Sequence, residues 1–149
     1  MKLVIGSDHG GFQGKEFCKK WLQKAGHEVV DFGCYSLDPV DYPDIAQLVA
    51  EAVVRREFDK GVLLDGFSGA VCLAANKVPG TRAIAAYNSV SARFAAAHDD
   101  ANILCLGGKT HGEVALAEML QVFFSTQYEG GRHDGRLAKI AGIERKYSR

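Results

Sequence analysis

Short apolar runs alternate with amphipathic segments along the whole chain, and this alternation limits the folds that the sequence can adopt. Five runs have the length and residue types of strands, at residues 3–5, 29–32, 61–64, 83–87 and 103–106. Segments with helical spacing follow them, at about 10–25, 44–56, 69–77, 91–98 and 112–124. Parallel neighbouring strands need such crossover helices. The pattern therefore predicts one α/β domain with a doubly wound sheet of five parallel strands.

Composition excludes several classes of protein. The 149 residues suit one domain, and eighteen Lys and Arg balance eighteen Asp and Glu. Without an overall basic charge, neither nucleic acid nor a membrane surface is expected as a partner. The four cysteines form no C-x-x-C pair, which is typical of reduced thiols. No signal peptide or membrane-spanning run is found, so we expect a cytoplasmic protein.

The first predicted strand leads into two residues that can carry acid–base chemistry. In doubly wound sheets, ligands bind beyond the carboxyl ends of the strands. Asp8 and His9 follow the first strand, within Gly-Ser-Asp-His-Gly-Gly. Ser7 or Asp8 can cap the next helix, but capping does not account for the imidazole. We therefore expect both Asp8 and His9 in a functional site.

The third predicted strand leads into a turn that can bind an anion. Asp65 is followed by Gly66, Phe67, Ser68, Gly69 and Ala70, directly before a helix. Small residues at a helix amino terminus leave N–H groups available for a phosphate or an oxyanion. A Gly-x-x-Gly turn is a weak signal alone, and Lys77 comes too late for a Walker loop. Residues 6–11 do not match the dinucleotide-binding pattern either.

Further candidates are charged residues near the ends of later elements. His98 and Asp99 lie at the end of the fourth helix. The helix dipole also favours a histidine at this position, independently of any function. Lys109 follows the fifth strand. Arg132 and Arg136 are one helical turn apart and can clamp a phosphate, although such pairs are often only surface charge.

In this order, these residues resemble the ribose/galactose isomerase family, which includes type B ribose-5-phosphate isomerases. The matching blocks span nearly the whole chain, at residues 6–9, 31–33, 41–44, 74–77, 100–102 and 130–136. The resemblance implies a flavodoxin-like or Rossmann-like three-layer sandwich, with no cofactor and no metal. It implies a single sugar-phosphate isomerase domain over residues 1–149, with residues 127–149 as a tail that packs on a partner subunit.

The resemblance also implies an activity. The expected reaction is aldose–ketose isomerisation of a sugar phosphate, above all ribose 5-phosphate to ribulose 5-phosphate in the pentose phosphate pathway, through an enediolate. Such an enzyme is an intramolecular oxidoreductase. The expected assembly is a homodimer or a dimer of dimers, with active sites shared between subunits.

Roles for individual residues follow from the same resemblance. Asp8 and His9 would contact the sugar, and the N–H groups of 66–70 would stabilise the enediolate. His98 would move protons during ring opening, and Asp99 would occupy a substrate-binding position. The phosphate would be held by two guanidinium groups and one ammonium, those of Arg132, Arg136 and Lys109.

The third-strand turn departs from the family pattern. Many type B enzymes have Cys-Gly-Thr-Gly-x-Gly here, with the Cys as base, and another branch has a Glu at the position of Val71. This chain has Asp65 at the Cys position, so Asp65 is the expected base. An ordinary aspartate has a pKa of about 3.9 and would need burial to act as a better base. Cys72 is the second candidate, although it also fits a helix core position.

Two other departures concern the substrate and the assembly. Phe67 replaces a small hydroxyl residue, whose proton relay Ser68 can take over, and Asp99 replaces an Asn. These changes allow another four- to six-carbon sugar phosphate, such as galactose 6-phosphate. The Asp65 turn also resembles one subunit type of galactose-6-phosphate isomerase. A second alternative is therefore a half-site subunit that needs a partner chain. A flavodoxin-type binding module is the third alternative.

Overall fold

The computed structural model describes residues 1–148. Arg149, the last residue of the predicted tail, lies outside the described residues. The strands are β1 Lys2–Ser7, β2 Glu28–Asp31, β3 Lys60–Asp65, β4 Ala83–Ala85 and β5 Ile103–Gly107. The helices are α1 Phe12–Lys24, α2 Tyr42–Val54, α3 Gly69–Ala75, α4 Ser89–Ala97, α5 Glu113–Ser125 and α6 Arg132–Tyr147, with a 3-10 turn His9–Gly11 before α1.

All five strands are parallel and form one sheet in the order β2-β1-β3-β5-β4. The central strand is β3, and its Val62 lies opposite Leu104 of the neighbouring β5. This arrangement confirms the predicted doubly wound, five-stranded α/β fold. Because the strands are parallel, all their carboxyl ends lie at one edge of the sheet and all their amino ends at the other.

Successive residues of the central strands face opposite helical layers. Val62 and Leu64 pack on the side of α1, α4 and α5, whereas Leu63 packs on the side of α2 and α3. The period of two in a strand produces this alternation. Both faces of β3 are therefore covered, which explains why its sequence is a continuous apolar run.

Helix boundaries differ slightly from the predicted ones. The second helix begins at Tyr42, two residues before the predicted Asp44, and Pro43 lies in its first turn. Proline is favoured there because its ring fixes φ near the helical value and its missing N–H is not needed. The fourth helix begins at Ser89, where the side chains of Asn88 and Ser91 form a reciprocal capping box.

The last helix differs from the others in how little it buries. In α6, His133 is the one fully buried residue, and Ile140, Ile143 and Tyr147 are exposed. Its far end is held by the N–H of Gly80, which donates to Glu144 at 3.1 Å. No helix within residues 1–148 is both long enough and apolar enough to cross a membrane.

Candidate active site

Three loops at the carboxyl edge are joined by backbone hydrogen bonds. They follow β1, β3 and β5. The N–H of Asp8 donates to Leu64 O at 3.3 Å, and the N–H of Gly108 donates to Asp65 O at 2.8 Å. The loop after β3 is therefore fixed from both sides, because β3 lies between β1 and β5 in the sheet.

Two glycines permit this close approach of the loops. A Cβ atom at Gly11 would lie 2.6 Å from the carbonyl carbon of Leu64, and one at Gly107 would lie 2.9 Å from Cα of Phe67. Real Cβ atoms do not come so close to backbone atoms, so any other residue at these positions would push the loops apart. The sequence thus determines a tightly packed carboxyl edge.

Asp8 and His9 lie at this edge, and one polar side-chain atom of each accepts a hydrogen bond. Oδ1 of Asp8 accepts the N–H of Gly11 at 3.0 Å, and its Oδ2 has no partner within residues 1–148. Nδ1 of His9 accepts the N–H of Val40 at 3.2 Å. This bond requires the Nδ1 lone pair, so Nε2 carries the ring proton and is available as a donor.

Asp65, the predicted base, makes three hydrogen bonds to its own loop. Asp65 is only 2% exposed. Oδ1 accepts the N–H groups of Phe67, at 2.9 Å, and of Ser68, while Oδ2 accepts that of Val71 at 2.9 Å. These donors stabilise the charged carboxylate and occupy both oxygens. The geometry favours a role for Asp65 in shaping the loop over a role in accepting a proton.

The predicted anion-binding turn is consequently smaller than expected. Two of its N–H groups, those of Phe67 and Ser68, are already bonded to Asp65. The N–H groups of Gly69 and Ala70, which open α3, have no protein acceptor within residues 1–148. Together with the N–H of Gly66, which also has no protein acceptor within residues 1–148, these are the donors of the turn that are available to an oxyanion.

The side chains of this turn point in different directions. Phe67 is 62% exposed, and its ring lies beside Gly69, where a Cβ atom would be 2.8 Å from the ring. The hydroxyl of Ser68 donates to Phe67 O, so the predicted relay would require it to leave that bond. Cδ of Lys109 lies 3.5 Å from the Cβ position of Gly66, which brings this ammonium-bearing chain to the turn. We call Asp8, His9, residues 66–70 and Lys109 the carboxyl-edge cluster.

Cys72, the alternative base, is directed away from this cluster. Its thiol donates to Ala83 O at 3.3 Å, at the amino end of β4. A hydrogen bond with Cys105 lowers the pKa of Cys72, and burial opposes this effect. The side chain packs against the core between the sheet and the layer of α2 and α3. These contacts favour a structural role.

The remaining candidates lie at the other edge of the sheet. His98 ends α4, just before β5 begins at Ile103, so His98 and Asp99 lie at the amino edge. The His98 ring stacks on the ring of His133 at 4.2 Å, and this contact brings the first turn of α6 to the same edge. Arg132 and Arg136, both in α6, are exposed. We call His98, Asp99, Arg132 and Arg136 the amino-edge cluster.

One chain therefore does not bring all of the predicted residues together. The two clusters lie at opposite ends of the strands, and a strand of five residues such as β5 spans roughly 15 Å. We expected one open edge to collect them, from one chain or from two. The sequence contained the signal for this separation, because a helix that precedes a parallel strand must end at the amino edge.

Two residues of the amino edge were missed by sequence reasoning. Oε1 of Glu129 lies 3.6 Å from Nε2 of His98 and 3.7 Å from Nε2 of His133. Burial, together with the nearby charges of His98 and Arg132, lowers the pKa of His133. The Gly-Gly-Arg-His motif drew attention to the arginine, and nothing in the sequence indicated that the histidine is buried.

The same three side chains form a candidate metal site. His98, Glu129 and His133 each offer a ligand atom, and these atoms lie within 4.8 Å of one another. However, the two imidazole planes differ by only 18°, so their lone pairs run side by side. Both rings would have to rotate before they could bind one ion in their planes. The geometry therefore favours proton chemistry here.

A buried lysine was also missed. Lys15 is fully buried, and its Nζ donates to Asp31 Oδ2 and to Cys34 O, both at 2.6 Å. Burial alone would raise the pKa of Asp31, but hydrogen bonds from Lys15 and Lys19 lower it overall. This network holds the start of the loop between β2 and α2, which also supplies the N–H of Val40 to His9.

Comparisons with known proteins agree with the resemblance seen in the sequence. A family model described as Ribose/Galactose Isomerase matches residues 3–140. Ribose-5-phosphate isomerase B of Escherichia coli is 38% identical, over 97% of each chain. The structure of Clostridium thermocellum ribose-5-phosphate isomerase B superposes with a TM-score of 0.98, at 44% identity, over 99% of this chain and 100% of that one. Mycoplasma genitalium ribose-5-phosphate isomerase B, solved with bound ribulose-5-phosphate, gives a TM-score of 0.93 at 36% identity, over 97% of each chain.

Proposed function

Because this chain belongs to the ribose/galactose isomerase family, whose model matches residues 3–140, we propose that it interconverts ribose 5-phosphate and ribulose 5-phosphate. The chain is an aldose–ketose isomerase, and its relatives include ribose-5-phosphate isomerase B enzymes, one of them with the ketose bound. With this substrate, we also propose a cytoplasmic protein of the pentose phosphate pathway. The observation that carries the proposal is the presence of both clusters in one chain.

The difficult step of this reaction is removal of the proton from C2 of the open-chain aldose. Negative charge then develops on O1, and return of a proton to C1 gives the ketose. Preorganised N–H donors stabilise such an oxyanion, each by roughly 3–4 kcal/mol. The N–H groups of Gly69 and Ala70 are placed in this role because they have no protein acceptor within residues 1–148. Lys109 adds positive charge beside the same turn.

Two carboxylates at the carboxyl edge compete for the role of base. The oxygens of Asp65 are engaged by three N–H groups, whereas Oδ2 of Asp8 has no partner within residues 1–148. We assign the base to Asp8 and the shaping of the turn to Asp65, which revises the expectation from sequence. Asp8→Asn should lower kcat by roughly 100- to 10,000-fold with little change in unfolding free energy. Asp65→Asn should change both quantities.

The second half of each active site comes from a partner subunit in this proposal. Within one chain the amino-edge cluster lies too far from Asp8 to share a substrate with it. In a homodimer, Arg132 and Arg136 of one subunit hold the phosphate while Asp8 of the other acts on C2. His98 opens the sugar ring, and Asp99 contacts the sugar hydroxyls.

The exposed apolar side chains of α6 support this assembly. Ile140 is 49% exposed and Ile143 60% exposed, and both lie on a helix that buries little against its own chain. Burial of such residues against a second copy is favourable. The predicted packing of the tail on a partner is therefore retained, for a dimer or for a dimer of dimers.

Subunit complementation tests the shared site. Asp8→Asn and Arg132→Ala should each abolish turnover of ribose 5-phosphate by the homogeneous protein. Co-refolding the two variants should restore about a quarter of wild-type activity, because half of the dimers are mixed and each mixed dimer has one intact site. The matched control is a mixture of Asp8→Asn with a double variant that carries both Asp8→Asn and Arg145→Ala. This mixture should stay inactive. Absence of recovery in the first mixture would contradict a shared site.

A substrate panel separates the remaining alternatives. Ribose 5-phosphate, erythrose 4-phosphate and galactose 6-phosphate should be compared by kcat/KM with the pure protein. Phe67 is exposed beside the oxyanion donors, so Phe67→Thr should change the ratio between these substrates more than Leu73→Thr, which alters an exposed residue of α3. Turnover by the pure protein would exclude the half-site subunit, and no turnover of any aldose would favour it.

A further inference from the structure

The imidazole of His98 is part of a stacked column of rings at the amino edge. Its centroid lies 4.6 Å from that of Phe94 and 4.2 Å from that of His133, with interplanar angles of 28° and 18°. Stacking on both faces limits rotation of the ring. The two nitrogens of His98 therefore have defined directions before any substrate binds.

One carboxylate oxygen faces both histidines of this column. Oε1 of Glu129 lies 3.6 Å from Nε2 of His98 and 3.7 Å from Nε2 of His133. Both distances slightly exceed hydrogen-bond length, and catalytic hydrogen bonds often shorten when substrate binds. The backbone of Glu129 is fixed, because its N–H donates to Ala97 O at 2.9 Å. His133 is only 4% exposed, and its Nε2 has no hydrogen-bond partner within residues 1–148.

We propose that Glu129 is a positioning residue for sugar-ring opening, an inference that rests on the function proposed above. Glu129 accepts the Nε2–H of His98 and so leaves the Nδ1 lone pair of His98 free to accept a proton. Nδ1 has no partner within residues 1–148, and the His98 side chain is 29% exposed, so a sugar can reach it. The family resemblance implied ring opening by His98 and no role for Glu129.

The proton transfers of this step balance without a further reactant. Nδ1 of His98 takes the proton of the O1 hydroxyl, and the O1–H electron pair forms the C1 carbonyl. The C1–O4 bond breaks, and its electron pair goes to O4. The imidazolium then returns the same proton to O4. One nitrogen can serve both oxygens in turn because both are bonded to C1. Glu129 stabilises the imidazolium while it exists.

The surroundings of His133 disfavour a proton on its own ring. Burial and the charges of His98, Arg132 and Arg136 lower the pKa of His133, and Glu129 opposes them. The lowered pKa disfavours a proton on His133, and a second positive charge on a ring stacked against an imidazolium would be repelled. The buried ring of His133 supports the orientation of His98 without competing for the proton.

Two assays that differ only in the need for ring opening test this inference. Conversion of ribose 5-phosphate starts from a furanose. Ribulose 5-phosphate is acyclic, because the phosphate blocks its O5. Its enolisation is measured by the exchange of its C1 hydrogen with solvent deuterium. Glu129→Gln should lower kcat for ribose 5-phosphate by about 10- to 100-fold, part of the roughly 100- to 10,000-fold that a positioned acid or base supplies. Deuterium exchange should stay within about twofold of wild type.

Controls make each outcome decisive. Glu118→Gln removes an exposed carboxylate from α5 and should change neither assay. Glu129→Asp keeps the carboxylate and should recover part of the lost kcat. Equal losses of Glu129→Gln in both assays, or no loss in either, would overturn the positioning role. Wild-type protein that fails in both assays would instead overturn the proposed function.

Discussion

The two edges of the sheet are built in different ways. At the carboxyl edge, three loops are joined by backbone hydrogen bonds, and Asp65 and Lys15 are buried with their polar atoms satisfied inside the chain. At the amino edge, the arginines of α6 are exposed, and the helix that carries them buries His133 alone. The buried polar side chains of one edge are satisfied within the chain, and the other edge carries exposed charged groups.

This difference indicates how the side chains in each half of the proposed site are held in position. Atoms that take part in proton transfer at carbon must be held closely, and the carboxyl edge does so by internal contacts. Cations that hold a phosphate tolerate more movement, and in the proposed dimer we expect those of the amino edge to become ordered when partner and substrate bind. Substitutions of internal contacts should therefore cost much more stability at the first edge than at the second.

The largest loss of stability is expected from Lys15→Met. The substitution removes a fully buried ammonium that bonds Asp31 and Cys34 O, and it leaves the carboxylate with one cation fewer. Breaking a buried ion pair from one side typically costs about 3–5 kcal/mol. Urea unfolding measures the change. The control is Lys20→Met at an exposed position of the same helix, which should lower the unfolding free energy by less than about 0.5 kcal/mol. Equal losses for the two variants would contradict the claim that internal contacts stabilise the carboxyl edge.

A somewhat smaller loss is expected from Asp65→Ala. Three backbone N–H groups lose their acceptor, and each buried unpaired donor costs about 1 kcal/mol or more, which gives about 3 kcal/mol in all. Chemical denaturation gives this value. If Asp65→Ala kept its stability and lost only turnover, the assignment of Asp65 as a shaping residue would be wrong and its role as the base would return.

At the amino edge, a pH-dependent loss is expected instead. The lowered pKa of His133 means that the unfolded chain binds a proton more readily than the folded one. Stability should therefore fall as pH decreases from about 6.5 toward the folded-state value, because protons then favour the unfolded chain. His133→Phe, which keeps the ring stack, should flatten this part of the stability curve. Thermal unfolding between pH 7 and pH 5 provides the measurement, and an unchanged slope would count against a buried neutral histidine.

The smallest effect is expected from Glu144→Ala, at the far end of α6. Its carboxylate accepts the N–H of Gly80 at 3.1 and 3.2 Å in an exposed setting. Such a bond contributes about 1 kcal/mol or less. A loss near that of Lys15→Met would mean that α6 is integral to its own subunit, and the comparison between the two edges would fail.

Much of the fold was readable because its signals are local. The apolar run 61–64 predicted β3, and the spacing of Cys18 and Leu22 predicted a core-facing α1. Lys15 occupies the same helical face, so its position also contained the signal for burial. Charge made a surface position the simpler interpretation, because isolated lysines are rarely buried.

The candidate site was less readable because it depends on distant contacts. Asp65 looked like a base from its place in the turn, and its three N–H donors follow only from how the loop folds back. The pairing of Glu129 with His98 joins elements some thirty residues apart in the chain. No local pattern encodes that contact. The separation of the two clusters, by contrast, followed from strand direction alone.

The placement of the two clusters at opposite ends of the strands has an evolutionary consequence. In the proposed shared-site dimer, a duplicated copy of this chain could lose its arginine pair, or its Asp8, and its sibling would still complete one working centre in a mixed assembly. Selection can then keep both copies, each specialised for one half of the chemistry. Obligate two-gene enzymes are thus a short mutational distance from a self-associating ancestor of this kind.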